Sequence, residues 1–408
     1  MESSKISSLA ISYMVLLALW GPLWTKSIYS RPIFVYLSFM ILAALFFICF
    51  IKSVQINSQQ ATSRTLWIPY ILFTTVSYIL SGSIEQSVYW FSCLSMLFMG
   101  SSIDFSDYFP KKLLLFSGII SVVGIAIQLM LPSFYSSNIA VIYPDDNLEK
   151  WLENNLGCVG FSYQLAQCAV QIVYSIGVLF CFYFNDRLRN NFKQLILLLI
   201  LFIGLFLAGK RSFSAISIIA VLSVFYFSSP SNRKIQTLLL SGIIFSSIIT
   251  IALNNLDYLA TIPGLSRFAD SVDNYNMGED ISSGRDLIYA VAIKMFLENP
   301  ILGVGVGNFA NLSGLDIAVH STYLQVLCEQ GIIGFTIYII PLLYCLFSTI
   351  AMLSKHYNDS NIGYLKISLF IQLVYIMYSF TGNPSINLYG FMFYFLAISL
   401  LIHYKSNC

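Results

Sequence analysis

Asn299-Pro300-Ile301-Leu302-Gly303-Val304-Gly305-Val306-Gly307-Asn308-Phe309, then His320-Ser321-Thr322-Tyr323-Leu324-Gln325, then Glu329-Gln330-Gly331-Ile332-Ile333-Gly334-Phe335, is the stretch on which the reading of this chain turns. Ser283-Gly284-Arg285-Asp286 leads into it. From Gly284 to Leu297 the apolar positions Leu287, Ala290, Val291, Met295 and Leu297 fall near helical period, which predicts a helix. Asn299-Pro300 should end it, because the residue before a proline is pushed out of the α region. The alternating glycines Gly303, Gly305 and Gly307 resemble a dinucleotide fingerprint only superficially. That pattern needs a further glycine where this chain has Asn308, and a strand before it. A tight turn returning the chain toward a bilayer is the better expectation. A second helix should run from Ser321 to Gln330 and close at Gly331. From 331 to 353 the chain is apolar for a full membrane crossing.

Outward from that stretch the sequence is mostly apolar. Of 408 residues, 57% are hydrophobic and 10% charged, against about 25% charged in a soluble domain. An all-α polytopic membrane protein is expected, a single integral membrane domain over 1–408. Apolar runs near 7–24, 33–51, 66–82, 87–103, 112–131, 156–184, 194–209, 212–229, 235–253, 331–353, 363–380 and 385–403 predict about twelve transmembrane helices. The run at 156–184 is longer than one crossing and is expected either to tilt or to begin with a half-buried turn at Gly157 and Gly160. The first run follows Lys5 without a small-residue cleavage site, so it reads as a span and not a removed signal. The net charge of +2 says nothing about nucleic acid, for which a binding patch would need clustered Lys and Arg, and no nucleic-acid partner is expected. The eight cysteines stand singly, with no CxxC and no Cys/His spacing for zinc, and read as buried free thiols. No carboxylate pair suggests a divalent-metal site, and no cofactor is expected.

With both ends in the cytoplasm, thirteen of the 21 Lys and Arg residues fall inside and eight outside, while acids divide the other way. Two outer segments are then long. One, near 132–155, is acidic, with Asp145, Asp146, Glu149 and Glu153 beside Tyr143 and Trp151. The other, 254–330, is a long late periplasmic loop that carries the opening stretch.

Few residues there offer chemistry. Lys210-Arg211 joins two apolar runs on the outer side, against the positive-inside trend; ionisable groups at membrane depth are costly and usually functional, although a tight hairpin could simply solvate both. Arg285 would sit in the first turn of a helix, where a guanidinium and backbone N–H groups form an anion site, or else pair with Asp286 or Asp280. His320 is the only histidine expected outside, since His356 and His403 fall at cytoplasmic ends. The following helix N-terminus disfavours imidazolium, so His320 should stay neutral and able to accept a proton; it could also merely cap that helix. Glu329 would pair with an arginine or cap a helix end. Lys210, Tyr323 and Glu329 are candidate substrate contacts.

The motif sequence Ser-Gly-Arg, Asn-Pro-Ile-Leu-Gly-Val-Gly-Val-Gly-Asn-Phe, His-Ser-Thr-Tyr-Leu-Gln and Glu-Gln-Gly-Ile-Ile-Gly-Phe, over 283–335, is similar to the signature of the O-antigen ligase and polymerase superfamily. Gly209-Lys210-Arg211-Ser212 also resembles the family pattern. The resemblance implies a glycosyltransferase-C-like fold in a bacterial inner membrane. It implies an undecaprenyl-pyrophosphate-linked oligosaccharide donor and acceptor, surrounding membrane lipid, and a chain-length regulator among the partners. Arg211 and Arg285 would hold the pyrophosphate and His320 would activate the acceptor hydroxyl, with inversion and without metal. The His-Ser-Thr-Tyr form is closer to polymerases of lipid-linked repeat units than to ligases that move the glycan to lipid A core. A transporter of lipid-linked sugars is a more remote alternative, because it would spread charge through several spans.

Overall fold

A computed structural model of the chain describes residues 2–27, 40–49, 62–80, 109–142, 156–162, 164–184, 192–230, 253–277, 284–315, 317–357, 359–384 and 388–404, with scattered positions between 234 and 250. These residues form helices and turns. In chain order the principal helices are α1 (Glu2–Ser27), α2 (Met40–Cys49), α3 (Ile68–Leu80), α4 (Lys111–Met130), α5 (Leu165–Val178), α6 (Phe192–Leu207) and α7 (Arg211–Ser228). They continue with α8 (Ser266–Met277), α9 (Arg285–Glu298), α10 (Phe309–Ser313), α11 (Thr322–Lys355), α12 (Ile362–Tyr378) and α13 (Leu388–Ile402).

Among the described residues, four stretches are long and apolar enough to cross a membrane: Lys111–Met130, Leu165–Tyr183, Arg211–Ser228 and Thr322–Lys355. Shorter apolar helices cover Ile6–Trp20, Met40–Cys49, Phe192–Leu207, Ile362–Tyr378 and Gly390–Ile402. The expected runs at 87–103 and most of 235–253 lie outside the described residues, as does the acidic part of the first long loop. The chain is therefore an all-α protein with membrane-spanning helices, and the count of twelve stays a proposal.

α13 is apolar all round and buried all round: Phe391 through Ala397 are each no more than 3% exposed, the behaviour of a helix at the centre of a bundle. Trp67 packs its ring edge-on against Tyr70, Tyr338, Phe391 and Tyr394. Some polar groups in this core are paired, while the Trp67 indole nitrogen, Gln372 Oε1 and the Tyr394 hydroxyl are buried without a hydrogen-bond partner. Gln372 donates to Thr349 Oγ1 at 2.7 Å, and Ser368 donates to Ala397 O at 2.7 Å. The opposite surface is apolar too. On α4, Phe116, Ile120 and Val123 are exposed, and on α6 so are Leu195, Leu199 and Ile203; rows of this kind suit lipid and not water.

The long run at 156–184 begins with a turn, as its two glycines suggested. Gly157 and Gly160 have positive φ, Cys158 N–H donates to Leu207 O at 2.8 Å, and Val159 and Gly160 N–H both reach Gln128 Oε1. α5 starts only at Leu165. Six described cysteines, Cys49, Cys158, Cys168, Cys181, Cys328 and Cys345, are buried free thiols.

Between α7 and α11 the chain forms its own small core. Ile288, Ala292 and Met295 of α9 bury against Phe309, Val319 and Cys328. This cluster fixes α9 to the start of α11, and with them Arg285 to His320.

Candidate active site

The helix α11 is broken at Gly331, where φ is 63° and ψ −167°. The break leaves carbonyls and N–H groups without their helical partners, and the glycine turn supplies them. Val304 N–H donates to Cys328 O at 3.0 Å and Gly305 N–H to Glu329 O at 2.8 Å. In return Ile332 N–H reaches Pro300 O at 2.9 Å and Ile333 N–H reaches Ile301 O at 3.4 Å. A broken helix at membrane depth is tolerated only when its backbone is satisfied again in this way. The two backbones must touch. A Cβ on Gly303 would collide with the Glu329 carbonyl carbon and Gln330 N, and one on Gly331 with the Ile301 carbonyl.

Glu329 secures the same junction. It is 3% exposed, and its Oε1 accepts from Phe309 N–H at 3.1 Å and from Gln325 Nε2 at 2.7 Å. Of the two expectations, an arginine partner or a helix end, the second holds: Phe309 is the first residue of α10. Gln325 Oε1 in turn accepts from Val319 N–H at 3.0 Å. Tyr323 donates its hydroxyl to Ile376 O at 2.9 Å and packs against Phe380. Both residues are used inside the scaffold.

His320 stands where that scaffold surfaces. It is exposed, between the buried Val319 and Ser321, and is the one described non-glycine residue with positive φ, at 59°. Histidine tolerates this region better than bulkier or branched residues do. Its carbonyl accepts from Tyr289 OH at 3.3 Å. The N–H of Thr322, two residues on, is bound by Ser379 O at 2.9 Å and Gly382 O at 3.0 Å. The backbone is thus held on both sides while the imidazole faces outward. α11 begins directly after it, as expected, and closes at Gly331.

Three arginines arrive from three helix N-termini. Arg211 opens α7 after the Gly209 turn, and its Nη1 donates to Arg267 O at 2.9 Å. Arg285 opens α9 after Gly284, and its Nη1 donates to Thr381 O at 3.2 Å. Arg267 lies in the first turn of α8 and was not among the expected site residues. It gets there because three turns meet backbone to backbone. A Cβ on Gly209 would strike Leu156 O and Gly157 Cα, and one on Gly264 would lie 2.9 Å from Gly209 Cα. The signal was present in the sequence: in each case a glycine turn precedes an arginine in the first turn of a helix.

The group is strongly cationic. Lys210, half-buried, is pushed down to about 8 by burial first, then by Arg267, Arg285 and Arg211. Arg267 is lowered by burial and by Arg285, with Asp270 opposing. His320, although exposed as a residue, has its ring partly desolvated, and this first, then Arg285 and Lys210, lowers its pKa and favours the neutral imidazole near pH 7. Among the described residues, neither the Lys210 ammonium, nor the Arg267 guanidinium, nor the His320 ring has a hydrogen-bond partner. Arginines at helix N-termini oppose the macrodipole, and an anion bound there relieves both charges at once. Among the described residues no three His, Cys, Asp or Glu side chains gather as a metal site requires.

The fold and site define a helical protein with membrane-spanning helices and a polybasic group beside a histidine of lowered pKa. Residues 196–339, which hold all five of these residues, match the family model described as O-antigen ligase, a match that supports the resemblance to the O-antigen ligase and polymerase superfamily. A search of curated proteins gave no match.

Proposed function

We propose that this chain is a glycosyltransferase of the bacterial inner membrane, working at the periplasmic face, that polymerises undecaprenyl-pyrophosphate-linked oligosaccharide repeat units into O-antigen or a related surface polysaccharide. The observation that carries the proposal is the convergence of Arg211, Arg267 and Arg285 with Lys210 beside a neutral His320. Four cations, opposed at Arg211 and Arg267 by Asp270, are matched to pyrophosphate.

In the reaction the acceptor hydroxyl oxygen bonds to the donor's anomeric carbon while the bond from that carbon to the pyrophosphate oxygen breaks. The hydroxyl proton passes to His320, and the electron pair leaves with the pyrophosphate. Fixed arginines stabilise the charge growing there, which is the role a divalent ion plays elsewhere, so the reaction is metal-independent. An acceptor entering opposite the held leaving group inverts the anomeric centre. General-base assistance is worth about 10²–10⁴-fold.

The family description favours a second reading, a ligase that transfers the finished glycan to lipid A core. A deletion strain separates the two. Loss of a polymerase should leave lipid A core carrying one repeat unit. A bare core, with long glycan accumulating on the lipid carrier, would establish the ligase instead.

A further inference from the structure

Beside the cationic group, α1, α5, α7, α12 and α13 enclose a cavity of about 120 Å³. At roughly 10–15 Å³ of such space per water it holds a body of about ten waters, the size of one pyranose ring with its hydroxyls. Two aromatic pairs form its walls. Tyr174 stacks on Phe393 with ring centroids 3.9 Å apart, and Phe213 lies against Tyr378 at 4.4 Å.

Between these rings stand polar groups that lack protein partners. Gln164 is the N-cap residue of α5 yet makes no capping hydrogen bond. Asn383 reaches Gln325 Oε1 at 3.4 Å with its amide nitrogen, while its Oδ1 is buried without a partner. The hydroxyls of Tyr174 and Tyr378 make no hydrogen bond among the described residues. A buried polar atom is nearly always paired, so the unpartnered Asn383 Oδ1, together with the unengaged Gln164 side chain and tyrosine hydroxyls around the same cavity, calls for a ligand. A lipid tail would leave all of them unsatisfied, and a bare anion would meet no cation on these walls. A ligand with apolar ring faces and hydroxyl edges suits both features.

The cavity adjoins the arginines through the chain itself. Phe213 follows Arg211 by two residues on α7. Asn383 follows Thr381, the residue that holds Arg285, by two. Tyr378 lies within electrostatic reach of Arg285. A ring seated here would be joined directly to a phosphate held by the arginines.

We infer that this cavity is the subsite for the sugar attached to the donor's pyrophosphate, recognised by aromatic faces and by the amides of Gln164 and Asn383. The inference rests on the glycosyl-transfer reading above. The test uses the purified full-length protein in lipid nanodiscs and three probes: undecaprenyl pyrophosphate, the same lipid carrying the host's own repeat unit, and the free repeat-unit oligosaccharide. The wild type should bind the glycosylated lipid at least about ten-fold more tightly, the worth of one or two hydrogen bonds. Gln164→Leu and Asn383→Leu should each cut that preference by about 3–10-fold, and Tyr378→Phe, which keeps the ring, by about 3-fold. Affinity for the bare lipid should not move, which shows the variants are folded. An unchanged preference in all three variants overturns the subsite and leaves the glycosyl-transfer reading standing. A wild type that binds neither lipid overturns both. If the variants lose affinity only for the free repeat-unit oligosaccharide, the cavity serves the acceptor and the donor assignment falls.

Discussion

The bundle core and the small core beneath His320 are held by different kinds of contact. Around α13 a large aromatic and aliphatic cluster surrounds each side chain with many neighbours. Under His320 only Ile288, Ala292, Met295, Phe309, Val319 and Cys328 form the cluster, and backbone hydrogen bonds between the glycine turn and the broken α11 complete it. The first kind of core degrades gradually when one methylene is removed. The second depends on a few close approaches that admit no substitute, so the site should fail before the bundle does.

The largest effect should therefore come from the smallest residues. Gly303→Val and Gly331→Val place side-chain atoms where the other backbone already stands, at positions whose φ of 71° and 63° a branched residue resists. Glycan synthesis should vanish in complementation assays, and limited proteolysis should cut between 299 and 320 while the protein still fractionates with membranes. Ile371→Val, buried in the bundle, should cost only about 0.5–1.5 kcal/mol and keep activity. Equal loss in both variants would erase the distinction between the two cores.

His320→Ala comes next, with turnover down by about 10²–10⁴-fold and donor binding retained. Because burial, Arg285 and Lys210 lower its pKa, the acid limb of the wild-type rate should fall below the ordinary histidine value of about 6.5, and the variant should lack that limb. His320→Asn tests the bland alternative, since asparagine caps a helix well but is no base. An active His320→Asn with unchanged pH dependence would make the residue structural.

Arg267 sharpens the comparison from the other side, because its glycine turn and first-turn arginine do not by themselves place it beside Arg211 and Arg285. The helix at 285–298, its stop at Asn299 and the break at Gly331 were legible, since each depends on signals within a few residues: apolar period, proline, glycine. Arg211, Arg285 and His320 were legible as anomalies against an apolar background. Arg267 reaches the site only through contact among turns at 157, 209 and 264, which no reading of one segment reveals. The carbonyls of Ser379, Thr381 and Gly382 that hold α11 and Arg285 are equally silent, because backbone groups have no side-chain signature. Arg267→Ala should lower turnover by about 10²–10³-fold, the usual cost of removing one fixed donor from a developing charge. Arg267→Lys should rescue it poorly, because an ammonium lacks the planar fork. Wild-type turnover in Arg267→Ala would remove it from the site and leave the pyrophosphate to Arg211, Arg285 and Lys210.

The smallest effect at neutral pH, and the most informative about the charge of the group, should come from Lys210. Burial and the three arginines bring it down to about 8, so it is cationic below that pH and neutral above it. Its attraction for the donor's pyrophosphate is present on the acid side and lost as pH rises. In kcat/KM, which reports the free enzyme, an alkaline limb should appear near pH 8, opposite the acid limb from His320. Bound pyrophosphate favours the charged ammonium, so the same limb in kcat should move to higher pH. Lys210→Met should reduce kcat/KM at pH 7 by about ten-fold, one charge-assisted contact, and abolish the limb. Lys210→Arg should keep most of the neutral rate and also lose the limb, because a guanidinium stays charged through this range. If the alkaline limb persists in Lys210→Arg, another group titrates there, and Lys210 belongs with Glu329 and Tyr323 to the scaffold rather than to the anion site.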